Sequence, residues 1–298
     1  MYCTTFYLLF TIFIKENNCK HQGLRIIGGR DAIEADFPYI AKYEYLIHIH
    51  KEPNRVENEH VCSGSVLTPT WSLTAAHCLD IKRKRVGKRF TVIPIIRYGT
   101  LESNAISNVL FSFTHPAYKH TRILNSVEND IGLVQTENIP LKQYGRVSAL
   151  DFITMVGQQA TVAGFGLTNS SDGTVDSTTK LKKPLQLLDV VVVHCKDNGL
   201  KPALCLARRC GKSSGACPGD SGGPMLHASG IVGVNSIGPD DLELFCAMNE
   251  TGPIYDPAGV TPTSPFIDWI SNTINGHDKP GETKHQIQRK YLKSQKIY

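Results

Sequence analysis

The chain has 298 residues, of which 41% are hydrophobic and 20% charged. That is an ordinary globular composition, and it excludes a disordered, fibrous or repeat protein. The formal net charge of +5 gathers at one end: from His277 onward Lys279, Lys284, Arg289, Lys290, Lys293 and Lys296 face only Asp278 and Glu282, a local surplus of +4. The body is close to neutral, which argues against a nucleic-acid partner.

Residues 1–18 contain an apolar run, Phe6–Ile14, broken only by Thr11. It has the length of a signal-peptide core and is too short to span a bilayer, so residues 1–18 are expected to be a signal peptide. No later apolar run is long enough for a transmembrane segment. The nine cysteines agree with a secreted protein in an oxidising compartment. A short polar stretch up to Arg25 leads into a long body with strand-like alternation. Val61–Leu67, Ala160–Phe165 and Gly230–Val234 read as short strands bounded by Gly, Pro, Asn or Ser. Many such strands argue for an all-β sandwich or barrel. His48 and His50 flank Ile49 as outward residues of a strand would, so no metal site is expected there. The one clear helix starts late: Ser264 supplies a cap, Pro265 a first-turn proline, and Phe266, Ile270 and Ile274 recur at helical spacing. Residues 276–298 are expected to form a basic, flexible tail.

Three segments carry chemistry. Gly219-Asp220-Ser221-Gly222-Gly223-Pro224 surrounds a serine with glycines. A serine hydroxyl attacks well only when a base takes its proton and donors stabilise the resulting oxyanion. Glycines let successive N–H groups converge on one point, and the amides of Gly219 and Ser221 are the candidate donors. In Thr74-Ala75-Ala76-His77-Cys78, His77 suits the base, because imidazole titrates near neutrality. In Asn129-Asp130-Ile131-Gly132-Leu133-Val134, Asp130 leads straight into an apolar run. A carboxylate buried there needs a partner, and a histidine N–H would serve, fixing the tautomer.

The order His77, Asp130, Ser221 with these signatures resembles the chymotrypsin/trypsin family of serine peptidases, from Ile26 to about Asn275. The resemblance implies an all-β fold of two Greek-key six-stranded antiparallel β-barrels with a C-terminal helix. The peptidase domain would span residues 26–275, with the barrel boundary about residues 141–153 and the active site in the cleft between the barrels. It implies a secreted endopeptidase that works through an acyl-enzyme with His77, Asp130 and Ser221 as its triad and no cofactor. Arg25-Ile26-Ile27-Gly28-Gly29 resembles the family's activation site, which makes residues 19–25 a short propeptide. Cleavage after Arg25 would free the Ile26 amine to pair with Asp220.

The resemblance also implies disulfides Cys62–Cys78, Cys195–Cys205 and Cys217–Cys246. A further family bridge would fall on Ala160 and His227, and both partners are absent together. With Cys3 in the leader, Cys19 and Cys210 remain as an even pair, and a Cys19–Cys210 bridge would tether the propeptide. The specificity pocket falls on Gly215, Ala216, Ser236, Gly238 and Gly259. No charge and little bulk stand there, so apolar or aromatic substrate side chains are expected over Lys or Arg. Two departures matter: Ile237 stands where the family has Trp, and the stretch from Gly238 to Cys246 carries Asp240, Asp241 and Glu243. Asn169 and Asn249 head glycosylation sequons. Expected partners are protein or peptide substrates, an activating trypsin-like protease and protease inhibitors, with the enzyme a monomer. The alternative reading is a non-catalytic homologue that binds or regulates.

Overall fold

A computed structural model describes residues 29–33, 36–51, 55–79, 90–99, 105–121, 126–166, 184–195, 200–207, 220–237 and 259–277. The alternation in the first half builds a closed barrel. Strand β1 (Arg30–Asp31) is followed by β2 (Ile40–Ile49) and β3 (Val56–Thr68), which form a long antiparallel hairpin registered from Ile40 opposite Ser65 to His48 opposite Val56. Then come β4 (Trp71–Thr74), the single-turn helix α1 (Ala76–Leu79), β5 (Phe90–Arg97) and β6 (Ile106–Thr114). Two short strands, β7 (Lys119–Thr121) and β8 (Ser126–Glu128), precede β9 (Gly132–Thr136). The barrel closes in the order β2-β3-β4-β9-β6-β5. Closure removes the free sheet edges that an open all-β domain would have to protect.

After a crossing segment with a 3₁₀ turn at Phe152–Met155, capped by the Asp151 carboxylate, the second barrel begins. It uses β10 (Gln159–Gly164), β11 (Gln186–Val193), β13 (Leu204–Ala207), β14 (Pro224–His227), β15 (Gly230–Ile237) and β16 (Gly259–Pro262). Antiparallel pairings run β10-β14-β15-β16-β13-β11 and back to β10, so this ring is also closed and six-stranded. Strand β1 adds to the end of β11, and the two-residue β12 (Leu200–Lys201) joins β8 and β7 in a small side sheet.

The helix of the sequence forms as a 3₁₀ turn, Ser264–Phe266, running into α2 (Ile267–His277). The cap differs from expectation. The hydroxyl of Ser264 accepts the Phe152 N–H at 3.1 Å, tying the helix start to the crossing segment, and Thr263 occupies the N-cap position without a side-chain cap. The helix runs through Gly276 to His277, whose ring lies 4.7 Å from that of Phe113 and 6.0 Å from that of Trp71. The helix that ends the second half therefore docks on the first barrel.

Candidate active site

Asp130 is delivered by an unusual turn. Asn129 adopts a positive φ of 54°, a conformation Asn tolerates better than most residues, and its side-chain amide donates to the Ala117 carbonyl at 2.8 Å. The chain then turns Asp130 inward ahead of the buried run Ile131–Thr136. Its carboxylate is fully buried, so its lone pairs must be satisfied by donors. Three arrive. The His77 ring donates through Nδ1 to Oδ2 at 2.7 Å, the His77 backbone N–H donates to Oδ1 at 2.8 Å, and the Ser236 hydroxyl donates to Oδ2.

This arrangement sets both ionisations. Burial by itself would lower the pKa of His77, but the Asp130 charge and the hydrogen bond between them outweigh it, and the net shift is upward. Burial would raise Asp130, and the His77 charge with the donors from His77 and Ser236 brings it below the ordinary carboxylate range. With Nδ1 donating, Nε2 keeps a lone pair that can take a proton.

The Ser221 loop is held from both barrels. The Ser63 N–H of β3 donates to the Ser221 carbonyl at 2.8 Å, and the Gly222 N–H donates to the Asn235 carbonyl of β15 at 2.8 Å. Gly222 has a φ of +79°, and a Cβ there would run into the Thr74 hydroxyl and the Ser63 carbonyl, so glycine is required on two counts. The Thr74 hydroxyl in turn donates to the Ser63 carbonyl at 2.9 Å. Thr74 closes β4 three residues before His77, so the serine loop lies against the strand end that leads into the histidine. Next to it, Asp220 is fully buried and accepts the Gly166 N–H at 2.8 Å.

Disulfides join Cys62 to Cys78 and Cys195 to Cys205. The first lies beside His77 and takes both sulfurs of the group Cys62, His77, Cys78, which leaves no thiolate there for a metal. Gly259 is buried in β16. Ser236, assigned to the pocket from the sequence, spends its hydroxyl on Asp130. Its match to the family's serine in Ser236-Ile237-Gly238 was the signal for it, read for its place and not for its hydrogen bond. Arg25, Ile26, Gly215, Ala216, Gly219, Gly238, Cys217–Cys246, Cys19–Cys210, Asn169, Asn249 and the acidic stretch Asp240–Glu243 lie outside the described residues. His48 is half-buried in β2, and His50 bonds the Thr91 hydroxyl through Nε2 at 2.7 Å.

Two closed six-stranded antiparallel barrels joined over a half-buried imidazole paired with a buried carboxylate define a chymotrypsin-like serine endopeptidase. The family model described as Trypsin matches residues 26–270, and the chain belongs to that family. Human (Homo sapiens) granzyme M is 27% identical over 261 residues, covering 83% of this chain and 88% of the relative. A trypsin of Phaedon cochleariae is 28% identical over 259 residues, with 83% and 88% covered, and a chymotrypsin of the same species is 28% identical over 260 residues, with 83% and 81% covered. In fold the chain is similar to a solved HL collagenase, with a TM-score of 0.58 at 21% identity, covering 84% of this chain and 98% of that one. The disulfides fit an extracellular protein. Among the described residues no helix is long and apolar enough to cross a membrane.

Proposed function

We propose that this endopeptidase is secreted as a zymogen, is activated by cleavage after Arg25 and cleaves beside apolar or aromatic side chains, with Ser221, His77 and Asp130 as its triad. The observation that carries the reading is the buried Asp130 carboxylate accepting both the ring and the backbone N–H of His77. In the reaction His77 Nε2 takes the Ser221 hydroxyl proton as the oxygen attacks the substrate carbonyl. The imidazolium so formed is stabilised by Asp130, and the amides of Gly219 and Ser221 receive the oxyanion. Collapse expels the amine, protonated by His77, and water repeats the sequence to free the acyl group.

Activation follows from the cost of burying Asp220. A cut after Arg25 supplies the Ile26 ammonium as its counter-ion, and the pair then holds the Ser221 loop in working shape. Pairing raises the pKa of that amine above its free value, so the active form persists below the raised value and fades as pH climbs through it. The uncharged pocket assigned to Gly215, Gly238 and Gly259 supports apolar substrates, because an unpartnered guanidinium there would be desolvated. The enzyme acts as a monomer on protein or peptide substrates, is open to protease inhibitors and carries glycans at Asn169 and Asn249.

The test is labelling with a fluorophosphonate after cleavage at Arg25, alongside Ser221→Ala. Labelling of the cut chain that Ser221→Ala abolishes is expected, and failure of the correctly cut, folded chain to react overturns the triad. Matched peptides then read specificity: faster turnover of Arg or Lys substrates than of Phe or Leu overturns the pocket assignment.

A further inference from the structure

Lys42 sits in β2 with only 6% of its surface exposed, an uncommon place for an ammonium. Strand register puts it directly opposite Ser63 of β3, and paired residues of neighbouring strands project to the same side of the sheet. Ser63 is the residue whose N–H donates to the Ser221 carbonyl. Its hydroxyl accepts the Phe165 N–H at 3.0 Å, and the Lys42 ammonium lies over the Phe165 ring, 4.9 Å from its centroid. The residue after Phe165 is Gly166, whose N–H donates to the buried Asp220 carboxylate. Phe165 and Gly166 are thus held in three places at once, by Lys42 at the ring, by Ser63 at one amide and by Asp220 at the next. On the same strand Glu44 is also buried, and Arg97 takes its Oε2 at 2.8 Å. Lys42 therefore meets the Phe165 ring on the side of the sheet that carries Ser63.

The ammonium meets the segment at the Phe165 ring and the Asp220 carboxylate meets it at the Gly166 amide, and polar contacts shielded from water are stronger than the same contacts in water. A cation over an aromatic face adds a directional attraction that fixes the ring. We propose that Lys42 is a positioning residue for the Ser221 loop: it holds the Phe165–Gly166 segment against Asp220, so that the loop keeps part of its working shape whether or not the Ile26 amine has been freed. The inference rests on the reading of Ser221 and Asp220 given under the proposed function.

The test compares the wild-type chain with Lys42→Met, which keeps the length and removes the charge, and with Lys42→Arg. Each is prepared cut after Arg25, and uncut in an Arg25→Ala background. For the cut enzyme, Lys42→Met is expected to lower kcat by about 10- to 100-fold while KM moves little, and Lys42→Arg to recover most of the loss. In the uncut background slow fluorophosphonate labelling is expected, and Lys42→Met removes it. A cut Lys42→Met enzyme with wild-type kcat overturns the proposal, as does uncut labelling that rises on the substitution, which would make Lys42 a restraint on the loop. If Lys42→Met does not fold, Phe165→Leu takes its place by removing the seat of the ammonium: slower labelling supports the proposal and unchanged labelling overturns it. A wild-type cut chain that never labels overturns the triad as well, whereas wild-type labelling with an indifferent Lys42→Met removes this inference alone.

Discussion

The two barrels follow the same winding: in each, the first three strands lie side by side and the last three return in reverse, as β2-β3-β4-β9-β6-β5 and as β10-β11-β13-β16-β15-β14. Their interiors differ. The first is filled around Trp71, Tyr43 and Leu73, and its apolar cluster continues without a break into Ala163, Leu187, Leu226 and Ile231 of the second. The second has a separate interior of Met155, Val162, Val190, Leu204, Met225 and Val260, with no aromatic among its buried members in the described residues. One winding can thus enclose either bulky rings or small aliphatic side chains, provided volumes are matched at native density. The first barrel also supplies both His77 and Asp130, with one further donor to Asp130 from Ser236 of the second, while the second presents its serine on a loop stapled to the first.

That division predicts where the largest loss of activity comes from. Asp130→Asn keeps a side chain of the same shape but removes the charge that outweighs burial at His77. We expect kcat to fall about 10⁴-fold. The pH profile carries a second signature. The base must be neutral, so wild-type kcat/KM rises as pH climbs through the raised pKa of His77. With the Asp130 charge gone, burial acts alone and the acidic limb should move to lower pH. A limb that stays in place means that another group sets it.

Core substitutions sharpen the contrast between interiors. Trp71→Ala should destabilise the protein by about 3–5 kcal/mol, and Met225→Ala by about 2–5 kcal/mol. Because the Trp71 cluster reaches across both barrels, its removal should speed amide exchange in β10, β11 and β15 as well as in β4 and β9. Met225→Ala should speed exchange in the second barrel alone. Equal spread from both substitutions would break the distinction between a shared core and a private one.

What the sequence disclosed follows the same line. The pairing of His77 with Asp130 was legible through the segments around the two residues and their resemblance to a known family, because β4 and β9 are buried throughout and no alternation there gives a direction. The strands around Val61, Ala160 and Gly230 were legible from apolar alternation bounded by turn residues, although β3 runs to Val56 and β15 to Ile237, since backbone pairing continues past the apolar run that marks a strand. Closure of each sheet into a ring came only by resemblance, because closure depends on pairings such as β11 with β13 that no local pattern records. The cap of α2 was missed because Ser264 had a competing donor, Phe152, 112 residues away. The Ser236 hydroxyl was missed likewise, its acceptor lying 106 residues away. Local chemistry shows what a side chain can bond, and tertiary structure selects among the partners.

The smallest predicted effect tests how the end of the chain couples the halves. His115 follows β6 in the first barrel, and its ring meets the edges of Phe266 and Trp269, with centroids 4.9 and 5.2 Å away. Its Nδ1 accepts the Ala117 N–H at 3.2 Å, which requires that nitrogen to be unprotonated. Burial also pushes the imidazole below its ordinary value. Both effects favour the neutral ring, so protonation works against docking of α2. Stability should be complete above the unfolded histidine pKa of about 6.5 and decline as pH falls below it toward the lower folded value. His115→Phe keeps the aromatic contacts and removes the proton, so it should flatten that decline, by no more than about 2 °C in Tm because the ring is partly solvated. Thermal unfolding at neutral pH and at about pH 5 reads the difference. A slope unchanged by the substitution would mean that another acid-sensitive group governs how the helix holds the first barrel.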